Sequence, residues 1–257
     1  MGVRFDNVEC RLSKEKPILK DINIDIEDGF VYGIIGKHSS GKSSFLEVIA
    51  KEKPITKGEL IINTKNIGFV SSKDFFLMDT VEEELNRILI EQKISNKSLI
   101  LKALNMVGLN KYYLNLNPNK LSLSEKRLIS LSKALITAPK LLLLDDISYG
   151  LDRHNKNNLI KLIKELNKKY NVTILIATND INFINLVSNY LIVLDYGKIV
   201  IHGKKEDVLN KDAILNKKGI GLPDILEFIN KVEDEKKIKL GIYDDVKDLI
   251  KAVYRNV

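Results

Sequence analysis

Eight consecutive residues, Gly36-Lys37-His38-Ser39-Ser40-Gly41-Lys42-Ser43, restrict this chain's fold more than any other feature. They follow the apolar stretch Val31-Tyr32-Gly33-Ile34-Ile35 and precede Ser44-Phe45-Leu46-Glu47-Val48-Ile49-Ala50, which reads as a helix. Glycine, four residues, then glycine-lysine-serine between a strand and a helix is the phosphate-loop pattern. The glycines let backbone N–H groups turn toward an anion, and the helix N-terminus adds positive potential. In this pattern Lys42 bridges the β- and γ-phosphates of a nucleotide, and Ser43 places its hydroxyl on Mg²⁺. Gly36, Lys37, His38, Ser39, Ser40, Gly41 and Ser44 complete the cradle.

A loop of this kind needs a buried strand nearby that ends in a carboxylate, and Leu141-Leu142-Leu143-Leu144-Asp145-Asp146 supplies one. Four leucines suit a central strand, which delivers Asp145 to the carboxyl edge of the sheet beside the loop. There it holds Mg²⁺, directly or through water, since that hard ion favours oxygen ligands.

The rest of the chain fits around this pair. Before residue 70 short β-rich stretches dominate: 3–5, 22–26, 30–35, 59–62 and 67–70, with a turn at Asp28-Gly29. From Thr80 apolar residues take helical spacing, first Leu85, Ile88 and Leu89, then Ile100, Leu101, Leu104 and Val107. After Lys140 strands and helices alternate, which implies a mostly parallel sheet with crossover helices. Two further helical patterns, 223–232 and 244–253, form a tail. The expected fold is α/β: a P-loop NTPase core with an antiparallel β subdomain, a helical insert and a small C-terminal helical extension.

Composition excludes several classes. The chain has 257 residues, 44% of them hydrophobic and 29% charged, an ordinary globular balance. No apolar stretch approaches the roughly 20 residues of a membrane span, and the first ten residues lack the apolar centre of a leader. A single cysteine, Cys10, rules out an internal disulfide and a multi-cysteine zinc site, and it reads as a small buried hydrophobe. The net charge of +7 comes from lysines dispersed among acidic residues, with only six arginines, so no nucleic-acid partner is expected. His38, His154 and His202 are too scattered to suggest a metal site.

In the order and spacing of these motifs, residues 1–217 resemble an ATP-binding-cassette (ABC) ATPase subunit, with a helical insert at about 72–138. Within that superfamily the chain is most similar to the ATPase subunits of energy-coupling factor importers. Gly197-Lys198-Ile199-Val200-Ile201-His202-Gly203, followed by Gly219-Ile220-Gly221-Leu222-Pro223-Asp224, is similar to their ending. The resemblance implies ATP and Mg²⁺ as ligands and residues 218–257 as a dimerisation element. It also implies pairing with a second ABC ATPase subunit, more readily as a heterodimer than a homodimer. A transmembrane coupling protein would dock on Ser71 to Met78, which places the chain peripherally on the cytoplasmic face of the cell membrane. An ATPase of another transport system, exporters included, and a soluble nucleotide-binding regulator share the fold and stand as alternatives.

Several positions depart from the family pattern. The aromatic that stacks on adenine falls on Leu12, and the Q-loop glutamine on Ser71 or Ser72. The signature Leu-Ser-Gly-Gly-Gln reads Leu121-Ser122-Leu123-Ser124-Glu125. By the resemblance the catalytic positions are Asp146, in place of the Walker B glutamate, and Asn179, in place of the switch histidine. The D-loop, Ser148-Tyr149-Gly150-Leu151-Asp152, keeps its leucine-aspartate end. Asp146 is one methylene short, about 1.5 Å, and a displacement near 1 Å can cost about 10²-fold in rate. Asn179 can donate a hydrogen bond but cannot titrate. The expectation is intact nucleotide binding with weak hydrolysis at the chain's own site.

Overall fold

The computed structural model describes residues 2–11, 17–73, 75–236, 243 and 246–255. Leu12, on which the resemblance places the adenine-stacking aromatic, lies outside the described residues, as do residues 244 and 245 of the expected helical pattern 244–253.

Two sheets form the core. Strands β1 (Val3–Arg11), β2 (Pro17–Ile26) and β4 (Lys57–Ile62) make a three-stranded antiparallel sheet in the order β2-β1-β4. In β2 the side chains of Ile22, Ile24 and Ile26 are buried while Asp21, Asn23 and Asp25 face solvent, the alternation a half-buried strand requires. Both β1 and β2 run longer than the short stretches expected at 3–5 and 22–26. The register between them shifts along the ladder, and Asn7 and Asp21 take positive φ of 49° and 51°. Such irregularities interrupt the two-residue period that sequence patterning relies on.

The second sheet has six strands in the order β5-β6-β7-β3-β8-β9: β3 (Val31–Ile35), β5 (Ile67–Val70), β6 (Leu141–Asp145), β7 (Thr173–Ala177), β8 (Tyr190–Asp195) and β9 (Lys198–Lys204). All neighbours pair in parallel except β8 and β9, which form a hairpin. Every residue of β3, β6 and β7 is buried, because helices or the second sheet cover both faces. Alternate side chains of one strand therefore serve different cores. Leu142, Leu144, Ile174 and Ile176 face the helical side; Leu141, Leu143, Leu175 and Ala177 face α1 (Lys42–Ile49) and the antiparallel sheet. Cys10 is buried in the latter core, as expected.

The insert contributes α2 (Val81–Glu91), α3 (Ser98–Met106) and α4 (Leu123–Leu135). Capping boxes start two of these: Thr80 with Glu83 on α2, and Ser122 with Glu125 on α4. α5 (Arg153–Tyr170) buries Leu159, Leu162, Ile163 and Leu166 along one stripe and ends at Asn171 in the left-handed conformation. α6 (Ile181–Val187) lies between β7 and β8, and beyond β9 come α7 (Lys205–Leu209), α8 (Asp212–Lys217), α9 (Asp224–Lys236) and α10 (Val246–Arg255). Leu222, Ile225, Leu226, Ile229 and Leu249 join the main core, so the tail packs on the chain itself.

Candidate functional site

Strand order decides what meets at the carboxyl edge. β3 ends at the phosphate loop, β7 at Asn179, β6 at Asp145 and β5 at Ser71 and Ser72, and these strands are neighbours in the sheet. The loop turns tightly. Gly36 and Gly41 have φ of 157° and 106°, and a Cβ on Gly36 would lie 2.2 Å from the Leu194 carbonyl oxygen and 2.6 Å from Ser40 Oγ. Ser39 also takes a positive φ, 60°.

Lys42 folds back into the loop. Its Nζ donates to the carbonyls of Gly36 at 2.8 Å and Lys37 at 2.9 Å. Burial lowers its pKa, against the opposing pull of Asp146 and Asp145. Ser40 lines the same cleft, and its buried Oγ has no hydrogen-bond partner among the described residues. Asp145 is only 2% exposed. Burial raises its pKa, Asp146 adds to the rise, and hydrogen bonds from the hydroxyls of Ser43 and Ser72 only partly offset it. A carboxylate in that condition, beside a serine hydroxyl, suits a divalent cation. Among the described residues no group of three or more His, Cys, Asp or Glu side chains could hold a metal alone. An ion here would need oxygens from its nucleotide, the usual habit of Mg²⁺.

The cleft, about 650 Å³, runs from Pro17, Ile18 and Lys20 past His38 and Ser39 to Ser44, and includes Lys53, Asp146, Asn179 and Tyr196. Asp146 sits at φ 47°, just past β6, with its amide donating to the Ala177 carbonyl. Asp146 and Asn179 thus share the cleft with the loop. A second cavity, beyond them, joins His38, Asp146 and Asn179 to Ser72, Ser148 and Asp180.

Three features of the site were not read from the sequence. His38 lies against the switch position, with its Nε2 3.3 Å from Asn179 Nδ2. Nothing in local spacing reveals a contact between residues 141 positions apart. Ser72 bonds Asp145, a partnership available only through the pairing of β5 with β6. Tyr196 lines the cleft from the β8–β9 turn; its signal is a tyrosine before glycine where a tight hairpin favours asparagine or aspartate.

The signature region meets the D-loop. Leu123 is exposed and abuts the D-loop: a Cβ on Gly150 would lie 2.5 Å from its Cδ2. Further along α4, Arg127 donates to the carbonyls of Ser71, at 2.9 Å, and Ser72. Lys133 donates to the Phe75 carbonyl at 3.0 Å and pairs with Glu84 at 2.6 Å. Glu84, 0% exposed, accepts from the amides of Leu77 at 2.8 Å and Met78 at 3.0 Å. α2 and α4 thus hold the segment after β5 with Phe75 and Leu77 turned outward, 69% and 56% exposed. The tail reaches the loop as well. A Cβ on Gly219 would fall 2.4 Å from Lys37 Cε, Lys218 pairs with Asp195 at 2.8 Å, and the Asp224 amide bonds Asn182.

A glycine-rich turn from a central parallel strand into a helix, with a buried aspartate two strands away, defines a P-loop NTPase fold. The chain belongs to the ABC transporter family, whose model matches residues 19–148, more than half its length. It is 29% identical to the energy-coupling factor transporter ATP-binding protein EcfA2 of Enterococcus faecalis over 90% of this chain and 89% of that one. It is also 29% identical to the corresponding EcfA3 of Oenococcus oeni, over 96% and 93%. Among solved structures, a dimeric bacterial ABC transporter cassette superposes with a TM-score of 0.74 at 25% identity, covering 79% of this chain and 98% of that one. CbiO1 of Clostridium perfringens, part of the ABC transporter complex CbiONQ, superposes at 0.70 with 22% identity over 89% and 98%. Among the described residues no helix is long and apolar enough to cross a membrane.

Proposed function

We propose that this chain is the MgATP-binding subunit of an energy-coupling-factor-type importer, peripheral on the cytoplasmic membrane face. The observation that carries the reading is the cleft shared by the loop, Lys42 and Asp146, with Asp145 hydrogen-bonded to Ser43, which lines it. Lys42 exchanges its loop carbonyls for phosphate oxygens, and Ser40 Oγ gains a partner. Mg²⁺, bound by Ser43 and Asp145, would neutralise phosphate charge. The exposed Phe75 and Leu77, on a segment fixed by Glu84, Lys133 and Arg127, form the docking face for a transmembrane coupling protein. The tail serves pairing with a second ATPase subunit through the exposed Phe228 of α9.

Titration of a fluorescent ATP analogue tests the reading. Lys42→Ala should lose binding by at least about 100-fold, since charge-assisted contacts to the β- and γ-phosphates go together. Equal affinity for both proteins would remove it.

Hydrolysis at the chain's own site is expected to be slow. Asp146 and Asn179 are the groups facing the terminal phosphate and its attacking water, with His38 beside Asn179. Groups that act as a unit are non-additive, so Asp146→Glu alone should restore little. Combining it with Asn179→His, Leu123→Gly and Ser124→Gly should raise phosphate release toward the roughly 1–10³ s⁻¹ of working enzymes. An unmutated chain already in that span, and silenced by Lys42→Ala, would overturn the expectation.

A further inference from the structure

We propose that Tyr196 is the stacking platform for the nucleotide base, supplied from the β8–β9 turn instead of the first hairpin. The inference rests on the ATP reading above and assigns its base end. Between Phe5 and Phe30 the sequence holds no Phe, Tyr or Trp, so the β1–β2 tip has no aromatic ring to offer. Tyr196 lines the same cleft as the loop and is 78% exposed, the most exposed large apolar side chain among the described residues.

Its position in the cleft is specific. The second cavity takes up His38, Asp146 and Asn179 but neither Tyr196 nor Ile18. Tyr196 therefore belongs, with Pro17, Ile18 and Lys20, to the end of the cleft remote from the groups that face the terminal phosphate. A nucleotide laid along the loop with its terminal phosphate at Asp146 brings its base to this end.

The turn is anchored to the loop. The Gly197 amide donates to the Ser40 carbonyl at 2.9 Å, and the Lys20 amide donates to the Gly197 carbonyl at 2.8 Å. A Cβ on Gly197 would meet the Ile18 carbonyl oxygen at 1.9 Å, so no other residue fits there. Tyr196 and Gly197 both take positive φ, 45° and 78°. A tight hairpin of this kind favours asparagine, aspartate or glycine first, and a tyrosine there works against local preference. Strained positions of this sort cluster at ligand clamps. The ring gains no burial from its place; what it offers is an open π-face beside a cleft of nucleotide size.

The chain contains no tryptophan, so Tyr196→Trp creates a unique fluorophore at the site. The unmutated chain and three variants are titrated with MgATP and with Mg-tripolyphosphate, which has the phosphates but no base. Tyr196→Ala should weaken ATP binding about 5- to 150-fold, the range of one base–aromatic stack, and leave tripolyphosphate affinity unchanged. Tyr196→Phe, which keeps the ring, should recover what the alanine loses. Tyr196→Trp should bind ATP with a change in tryptophan emission that tripolyphosphate does not produce. Unchanged ATP affinity in Tyr196→Ala would overturn the proposal while leaving the ATP reading intact. Equal losses for ATP and tripolyphosphate would also overturn it, since they would mean the turn only braces the loop. Failure of the unmutated chain to bind ATP would bring down the reading and the proposal together.

Discussion

Two buried carboxylates, Glu84 in the helical insert and Asp145 at the sheet edge, have almost the same exposure and opposite electrostatics. Burial by itself pushes Glu84 up, but Lys133 and the amides of Leu77 and Met78 outweigh it and hold the pKa below the ordinary value. Asp145 has two hydroxyls and a neighbouring carboxylate, so burial wins and its pKa rises. The first group finds its counter-charge inside the chain and fixes a loop. The second has only hydroxyl partners and the weaker pull of Lys42, so burial prevails and a cation brought by the ligand would favour its charged form. A structural carboxylate and a ligand-seeking one can thus be told apart by their partners rather than by depth of burial.

The sharpest way to break this comparison is to remove each charge. Glu84→Ala leaves two amides without their acceptor and Lys133 without its counter-charge, and should destabilise the protein by about 3–5 kcal/mol, read from urea unfolding. A loss under about 1 kcal/mol would mean the Glu84 cluster is decorative. Asp145→Asn should do the reverse in the nucleotide-free protein, raising the melting temperature by a few degrees, as about 1 kcal/mol does at this size. The same variant should abolish the Mg²⁺ dependence of ATP binding. A melting temperature that falls would show that Asp145 is already well satisfied.

The smallest effect is the pH dependence of the two differences. Glu84 is depressed, so its stabilisation is present above the unfolded value near 4.5 and is lost as pH falls through its lower folded pKa. Asp145 is raised, so its penalty is full above its folded pKa and vanishes as pH falls below 3.8. Melting curves of Glu84→Gln and Asp145→Asn should therefore both converge on the unmutated protein in acid, the first from below and the second from above. Divergence in acid for either would reverse the assigned sign.

Much of this site was legible before any coordinates. The loop, the four-leucine strand and the Ser122–Glu125 capping box are encoded by residues close in sequence, where periodicity and local hydrogen bonding act. The partners of Asp145 and Glu84 were not. Ser72 reaches Asp145 through strand pairing, and Lys133 reaches Glu84 across a helix pair 49 residues apart in the chain. His38 is marked by the loop motif, but its contact with Asn179 exists only because β3 and β7 pair. The lengths of β1 and β2 were hidden for a different reason, since bulges at Asn7 and Asp21 put the alternation out of step.

The contact between Gly219 and Lys37 has a thermodynamic corollary. Gly219 has φ +64°, and a Cβ there would fall 2.4 Å from Cε near the tip of the Lys37 side chain, so the tail and that side chain lie in direct contact. A ligand that resets Lys37 alters the free energy with which residues 218–221 dock. Reciprocity then requires that lifting the tail alter that ligand's affinity by the same factor. The tail is thereby a second party to any binding equilibrium of the loop that moves Lys37.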